Sequence, residues 1–267
     1  MTQRLTILAS LLFLLPSSLT AQFLGFDRNE YPGDDALPKL RKTFSYTSYW
    51  LNSPPGAARN TWLGKRATLQ KAGFGFLVLF NGRLYAELKS LPSAMSAGKT
   101  DGQAAIQTAL AEGFPKGTII FLDQEEGGRQ LDAQKSYVYA FVDAVTHAGF
   151  RAGVYCSGIP FKEPDGTVIN TADDLRNHAT GRDIAYWVTN DACPPSPGCS
   201  VSEKVRPSAS GIAFTDIWQY AQSPRRPQYT AACRQTYSPD KNCYAPDTTI
   251  HVDLNVANSP DPSHGRR

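Results

Sequence analysis

Asp123 and Glu125 close the run Thr118-Ile119-Ile120-Phe121-Leu122-Asp123-Gln124-Glu125, an apolar, β-prone stretch ending in two carboxylates two residues apart. Side chains on a strand alternate faces, so both acids should share a face with Phe121 and Ile119, roughly 7 Å apart at the backbone. A strand apolar on both faces reads as buried within a parallel sheet. Acids at its carboxyl end stand where parallel α/β folds place their chemistry. A polar strand terminus entering the turn at Gly127 and Gly128 is the plainer alternative.

Two further acids occupy comparable places. Gly25-Phe26-Asp27 ends the first strand-like run, and Val252-Asp253-Leu254-Asn255 ends the last. In a closed barrel the first and last strands are neighbours, which would bring Asp27 and Asp253 together over one mouth with Asp123 and Glu125. Singly, each has a local explanation in turn formation. Aromatic residues recur near the same strand ends: Tyr49, Tyr155, Trp187 and Trp218, with Gln219 beside the last. Their faces suit the apolar faces of sugar rings and the Gln219 amide suits hydroxyls, against the alternative of core packing.

Carboxylates without a Ser/His nucleophile pair or a metal motif suit glycoside hydrolysis. One carboxyl protonates the leaving oxygen while another supports the developing oxocarbenium charge. Neighbouring carboxylates resist simultaneous ionisation, which can keep one protonated near neutral pH. Glu125, with the longer reach, takes the acid role. Asp123, Asp27 and Asp253 complete the catalytic set by orienting substrate or stabilising charge. No metal and no cofactor is expected.

The elements that would position these groups alternate. Strand-like runs fall at Phe23–Asp27, Phe44–Trp50, Phe74–Phe80, Thr118–Glu125, Ala152–Cys156, Ile184–Thr189, Asp216–Tyr220 and Ile250–Leu254. Helical patterns lie at Asp35–Lys42, Thr61–Ala72, Thr100–Glu112, Ala133–Ala148 and Ala172–Thr180. In the fourth, Val138, Phe141, Val142 and Val145 share a face and Gly149 stops the helix. Thr171 is placed to cap the fifth. Parallel βαβ units follow from the alternation, and eight strands suggest a TIM-like (β/α) barrel with an incomplete set of about five outer helices. Residues 190–213 and 221–249 read as long Pro- and Ser-rich loops.

Residues 1–21 have the form of an export signal: Arg4, the apolar run Leu5 to Leu15, then Pro16 to Ala21. That run is too short to span a bilayer, which takes about 20 apolar residues. The expectation is a secreted or periplasmic protein without a membrane span. Residues 22–258 would form one barrel domain, and 259–267 a disordered polar tail. The 267-residue chain is 41% hydrophobic, enough for a sizeable core, and its net charge of +3 gives no basic stripe of the kind nucleic acid needs. Of five cysteines, Cys193, Cys199, Cys233 and Cys243 lie in the long loops. Cys193–Cys199 and Cys233–Cys243 is the simplest pairing, although four cysteines allow three connectivities. Cys156 reads as a buried small residue.

Several of these motifs resemble a known pattern. Gly25-Phe26-Asp27, Asp123-Gln124-Glu125, Ala152-Gly153-Val154-Tyr155-Cys156-Ser157, Ile217-Trp218-Gln219-Tyr220 and Val252-Asp253-Leu254-Asn255 are similar, in order and approximate spacing, to family 25 glycoside hydrolases, the lysozyme-type muramidases. The Tyr46–Pro55 stretch is closer to the related DUF1906 group, the Rv2525c-like glycoside-hydrolase-like domains. The resemblance implies a TIM-like barrel, an acidic site at its carboxyl face, Glu125 as proton donor, and peptidoglycan as the default polysaccharide.

The leading expectation is a secreted, monomeric glycosidase cleaving β-linked cell-wall glycan. A non-catalytic glycan-binding module on the same barrel is the alternative. A hydrolase built on Cys156 and His251 has nothing in the sequence to order that pair.

Overall fold

The computed structural model describes residues 22–192, 199–202, 204–226, 228 and 238–267. The export signal expected at 1–21 lies outside the described residues, as do Cys193 and Cys233.

Eight strands close into a barrel: β1 (Phe23–Asp27), β2 (Tyr46–Trp50), β3 (Gly75–Asn81), β4 (Ile119–Asp123), β5 (Arg151–Ser157), β8 (Ile184–Thr189), β9 (Ile217–Ala221) and β10 (Asp253–Ala257). A separate hairpin, β6 (Phe161–Lys162) with β7 (Val168–Ile169), stands in the connection that follows β5. Among the described residues five α-helices accompany the barrel: α1 (Leu37–Leu40), α2 (Arg66–Lys71), α3 (Leu91–Ala111), α4 (Asp132–His147) and α5 (Thr171–Asn177). Within the barrel all strand neighbours are parallel except β10, which runs antiparallel to both β1 and β9.

The antiparallel β10 corrects the expectation of uniformly parallel strands. Asp253 opens its strand instead of closing it. Because the strand is reversed, its amino end meets the carboxyl ends of the others, and Asp253 still reaches their mouth. An antiparallel return strand needs no crossover helix, so none is required between β9 and β10.

Strand alternation divides the barrel into two cores. Phe121, Tyr155 and Trp187 meet inside it, with ring centroids 4.5 Å apart for Tyr155–Trp187 and 6.2 Å for Phe121–Trp187. Outward-facing residues pack against the helices, as Phe80 does on Phe141 of α4 at 5.8 Å. The α4 residues Val138, Phe141, Val142 and Val145 are all buried, and Gly149, at φ +81°, ends that segment.

Helix α3 begins at Leu91, nine positions before the sequence pattern starts. Gly98 and Gly102 look like interruptions but are contact points: a Cβ on Gly98 would lie 2.2 Å from the Tyr137 carbonyl oxygen. The two long helices therefore approach backbone to backbone. At α5 the cap is Asn170, whose side chain accepts from the Asp173 N–H at 2.8 Å, while Thr171 donates to the Gly128 carbonyl.

The polar end 259–267 is not a disordered tail. It closes the floor of the barrel between β3 and β4. Ser263 N–H donates to Phe76 O at 2.9 Å, Ile119 N–H donates to Ser263 O at 2.8 Å, and Ser263 Oγ accepts from Val78 N–H at 2.8 Å. Pairing between β3 and β4 begins only at Val78 and Ile120, so this segment satisfies backbone groups the sheet leaves open. Among the described residues, no helix is long and apolar enough to cross a membrane.

Candidate active site

The four sequence-predicted acids converge on the mouth where the parallel strands end. Asp27 is the last residue of β1 and Asp123 of β4. Asp253 is the first of β10, and it pairs directly with Asp27 across the sheet. Glu125 lies two residues beyond β4, in the 124–131 loop, so the strand stops short of its expected end. Asp27 and Asp123 are 6% and 3% exposed, whereas Glu125 is open to solvent. The depth order is decisive: Asp123 sits behind and Glu125 in front.

A network of neutral donors holds the deeper acids. Asn255 Nδ2 donates to Asp27 Oδ1 at 2.6 Å, and Gln219 Nε2 donates to the same oxygen at 3.0 Å. Gln219 Nε2 also reaches Asp253 Oδ2 at 3.4 Å, while Asp253 Oδ1 accepts the Ser223 N–H at 2.6 Å. Gln219 Oε1 accepts from Tyr155 Oη and from Gln222 Nε2, each at 2.8 Å. Below them, Trp187 Nε1 donates to Asn255 Oδ1 at 2.8 Å. At the rim, Arg226 forks onto buried Asp191 at 2.7 and 3.2 Å.

Burial dominates the electrostatics. It pushes Asp27 up from 3.8 to about 6, opposed by the Asn255 and Gln219 donors and reinforced by the Glu125 charge. Burial, followed by the charges of Glu125 and Asp27, lifts Asp123 well above the usual carboxylate range. Asp253 rises in the same way, through burial and then the Asp27 charge. Glu125 rises through loss of water, with the Arg226 charge and a hydrogen bond from Asp123 pulling it back. Burial therefore raises Asp123 further than Glu125, whose rise is offset by Arg226.

The aromatic expectations divide. Tyr155 and Trp187 face into the barrel and form the floor beneath the acids; both are buried. Tyr49 and Trp218 point the other way, and their placement as substrate contacts is corrected. Tyr49 is fully buried outside the barrel against Trp62, Phe76 and Phe114, and its hydroxyl donates to Glu112. Trp218 is fully buried beside Tyr220 and donates to the Asn190 carbonyl. In each, the inward neighbour in sequence takes the barrel position: Ser48 precedes Tyr49 and Gln219 follows Trp218. Gln219 itself is 1% exposed, and its amide is spent on Asp27, Asp253, Tyr155 and Gln222. It orients carboxylates where a sugar contact was expected.

Asn255, Gln222 and Arg226 were not singled out from the sequence. Asn255 had a signal, since it stands two residues after Asp253 on the same strand face. Gln222 and Arg226 lie in a loop where no periodicity applies.

The disulfide expectation is also corrected. Cys199 bonds Cys243, with Cα atoms 5.1 Å apart, bridging 44 positions of chain. The bond joins the two long loops to each other, so nearness in space overrides nearness in sequence. Cys156 is buried on β5, and burial raises its thiol far above its ordinary value, whereas His251 is exposed at the rim. The two do not form a nucleophile–base pair.

The chain belongs to the family described as Rv2525c-like, glycoside hydrolase-like domain, whose model matches residues 48–256. No curated protein matches it. Among solved structures, an uncharacterized B. stearothermophilus protein aligns at 16% identity and TM-score 0.59, covering 88% of this chain and 95% of that one. The Clostridium perfringens spore cortex lytic enzyme SleM aligns at 17% identity and TM-score 0.54, covering 89% and 68%. The Mycobacterium tuberculosis Tat-secreted protein Rv2525c aligns at 12% identity and TM-score 0.51, covering 92% and 98%. At these identities the likeness is one of fold.

Proposed function

We propose that this protein is an exported glycoside hydrolase that cleaves β-linked cell-wall glycan, with peptidoglycan as its substrate. The observation that carries the reading is the placing of buried Asp123 behind solvent-facing Glu125 at one barrel mouth, with Asp27 and Asp253 beside them. Glu125 is the member that can meet a leaving-group oxygen and give it a proton, while Asp123 behind it tunes that carboxyl through charge. Asp27 and Asp253, steered by Asn255, Gln219 and the Ser223 amide, face the position where positive charge develops in an oxocarbenium-like transition state. Tyr155 completes the floor as a neutral donor.

Substrate identity draws on the company the fold keeps. Structures of similar fold include a spore cortex lytic enzyme, the catalytic domain of a Listeria phage endolysin and a Streptomyces coelicolor lysozyme. Export draws on the signal-like residues 1–21 and on the Tat-secreted family namesake. Incubation with purified peptidoglycan, followed by mass spectrometry of the soluble fraction, tests the reading. Release of muropeptides with new reducing ends is the expected result. Intact glycan retained on the protein without products would instead make it a binding module.

A further inference from the structure

The carboxylate loop is flanked by two exposed aromatic rings that the strand-end pattern did not reveal. Among the described residues, Phe161 is 53% exposed and Tyr85 is 47% exposed, whereas the four tryptophans are buried. Both rings stand in connections leaving the carboxyl ends of parallel strands, Tyr85 after β3 and Phe161 after β5. Glu125 is carried by the connection between them, after β4.

Each of these connections is tied to the middle one. Tyr85 N–H donates to Glu126 Oε2 at 2.7 Å, and Gln134 Nε2 holds the same oxygen at 2.8 Å. Phe161 lies against Gly128: a Cβ there would sit 3.6 Å from the ring, and Gly128 has φ +84°. The hairpin bearing Phe161 is pinned by a two-pronged ion pair, Arg129 to Glu163, with contacts of 2.7–3.0 Å. The anchors, Glu126 and Gly128, are one and three residues from Glu125.

We infer that Tyr85 and Phe161 are sugar-stacking platforms on either side of Glu125, so that the protein takes a glycan chain several residues long across its mouth. This rests on the glycosidase reading above and extends it to a polymeric substrate. An exposed ring that folding leaves uncovered, on a connection it holds in place, is suited to the C–H face of a pyranose. Beside Phe161 stand Lys162 and the Arg129–Glu163 ion pair, which match sugar hydroxyls and would be costly against a lipid tail.

The test is sedimentation with insoluble peptidoglycan alongside measurement of soluble products. It compares wild type, Phe161→Ala/Tyr85→Ala, Phe161→Leu, Phe161→Tyr and the remote surface control Leu110→Ala. The double variant should be retained at least tenfold more weakly and release correspondingly less product. Phe161→Leu should fall with it, Phe161→Tyr should bind as wild type does, and Leu110→Ala should be unaffected. Wild-type retention and release by the double variant would overturn the platforms and leave hydrolysis standing. Weakened retention with no products from any form would support the platforms and remove the hydrolase. Absence of both retention and release in wild type would overturn both.

Discussion

Asp27 and Asp253 face each other as direct partners across the antiparallel β1/β10 pair, and one amide, Gln219 Nε2, lies within 3.0 Å of the first and 3.4 Å of the second. Like charges opposite one another in a sheet are destabilising. Here both groups are also buried, and both pKa values rise. The mouth is therefore a site where protons are retained by design of the fold, at a cost in stability once they leave.

That cost sets the pH dependence of folding. A carboxyl whose folded pKa is raised binds its proton more tightly in the native state. Its contribution is whole below the ordinary value and is lost as pH rises through the folded one. For Asp27 the window runs from 3.8 to about 6, a difference worth about 3 kcal/mol if it acted alone. Asp123 and Asp253 carry the same sign. Urea denaturation of residues 22–267 should show stability falling between pH 4 and 7, with a smaller fall in Asp27→Asn. Stability rising over that interval would contradict the assignment.

Asn255 should matter beyond its packing. Asn255→Ala removes a donor from Asp27 and leaves the buried Trp187 N–H without its acceptor. Orphaning such a group costs about 1–3 kcal/mol. Loss of the donor also moves the Asp27 pKa further up, since that hydrogen bond favours the charged form. The expected outcome is a lower thermal midpoint together with an acidic activity limb displaced to higher pH. A lower midpoint with an unmoved limb would reduce Asn255 to a structural role.

The loops over the mouth should depend on the bridge between them. Peptide mapping under non-reducing conditions should recover Cys199 joined to Cys243. Closing a loop of 44 positions stabilises by about 2–4 kcal/mol, so Cys243→Ser should lower the thermal midpoint by several degrees. Recovery of Cys199 joined to Cys193 would contradict the connectivity.

Much of this architecture was legible in the sequence because period-2 alternation carries it. Phe121 and Asp123 share the inward face of β4, and their identities alone announce a core strand with chemistry at its end. The same rule separates Tyr155 from Tyr49, but only when the strand's facing is known. Nothing in Tyr46-Thr47-Ser48-Tyr49-Trp50 says which face looks inward, since all five are buried. The reversal of β10 was hidden because five residues read alike in either direction. The tail 259–267 looked disordered because its role is hydrogen bonding to β3 and β4 backbone, which leaves no apolar pattern. Glycines 98 and 102 misled for a related reason: they serve close helix contact, and propensity sees only the break.

In the proposed reaction Glu125 delivers the proton to the leaving glycosidic oxygen. The most direct measurement is a parallel digest of purified peptidoglycan by the mature protein and by Glu125→Gln, with muropeptides quantified by mass spectrometry and folding checked by circular dichroism. The account predicts release by the wild type and a loss of at least a hundredfold in the variant, which keeps its fold. Equal release by a folded Glu125→Gln protein would contradict it.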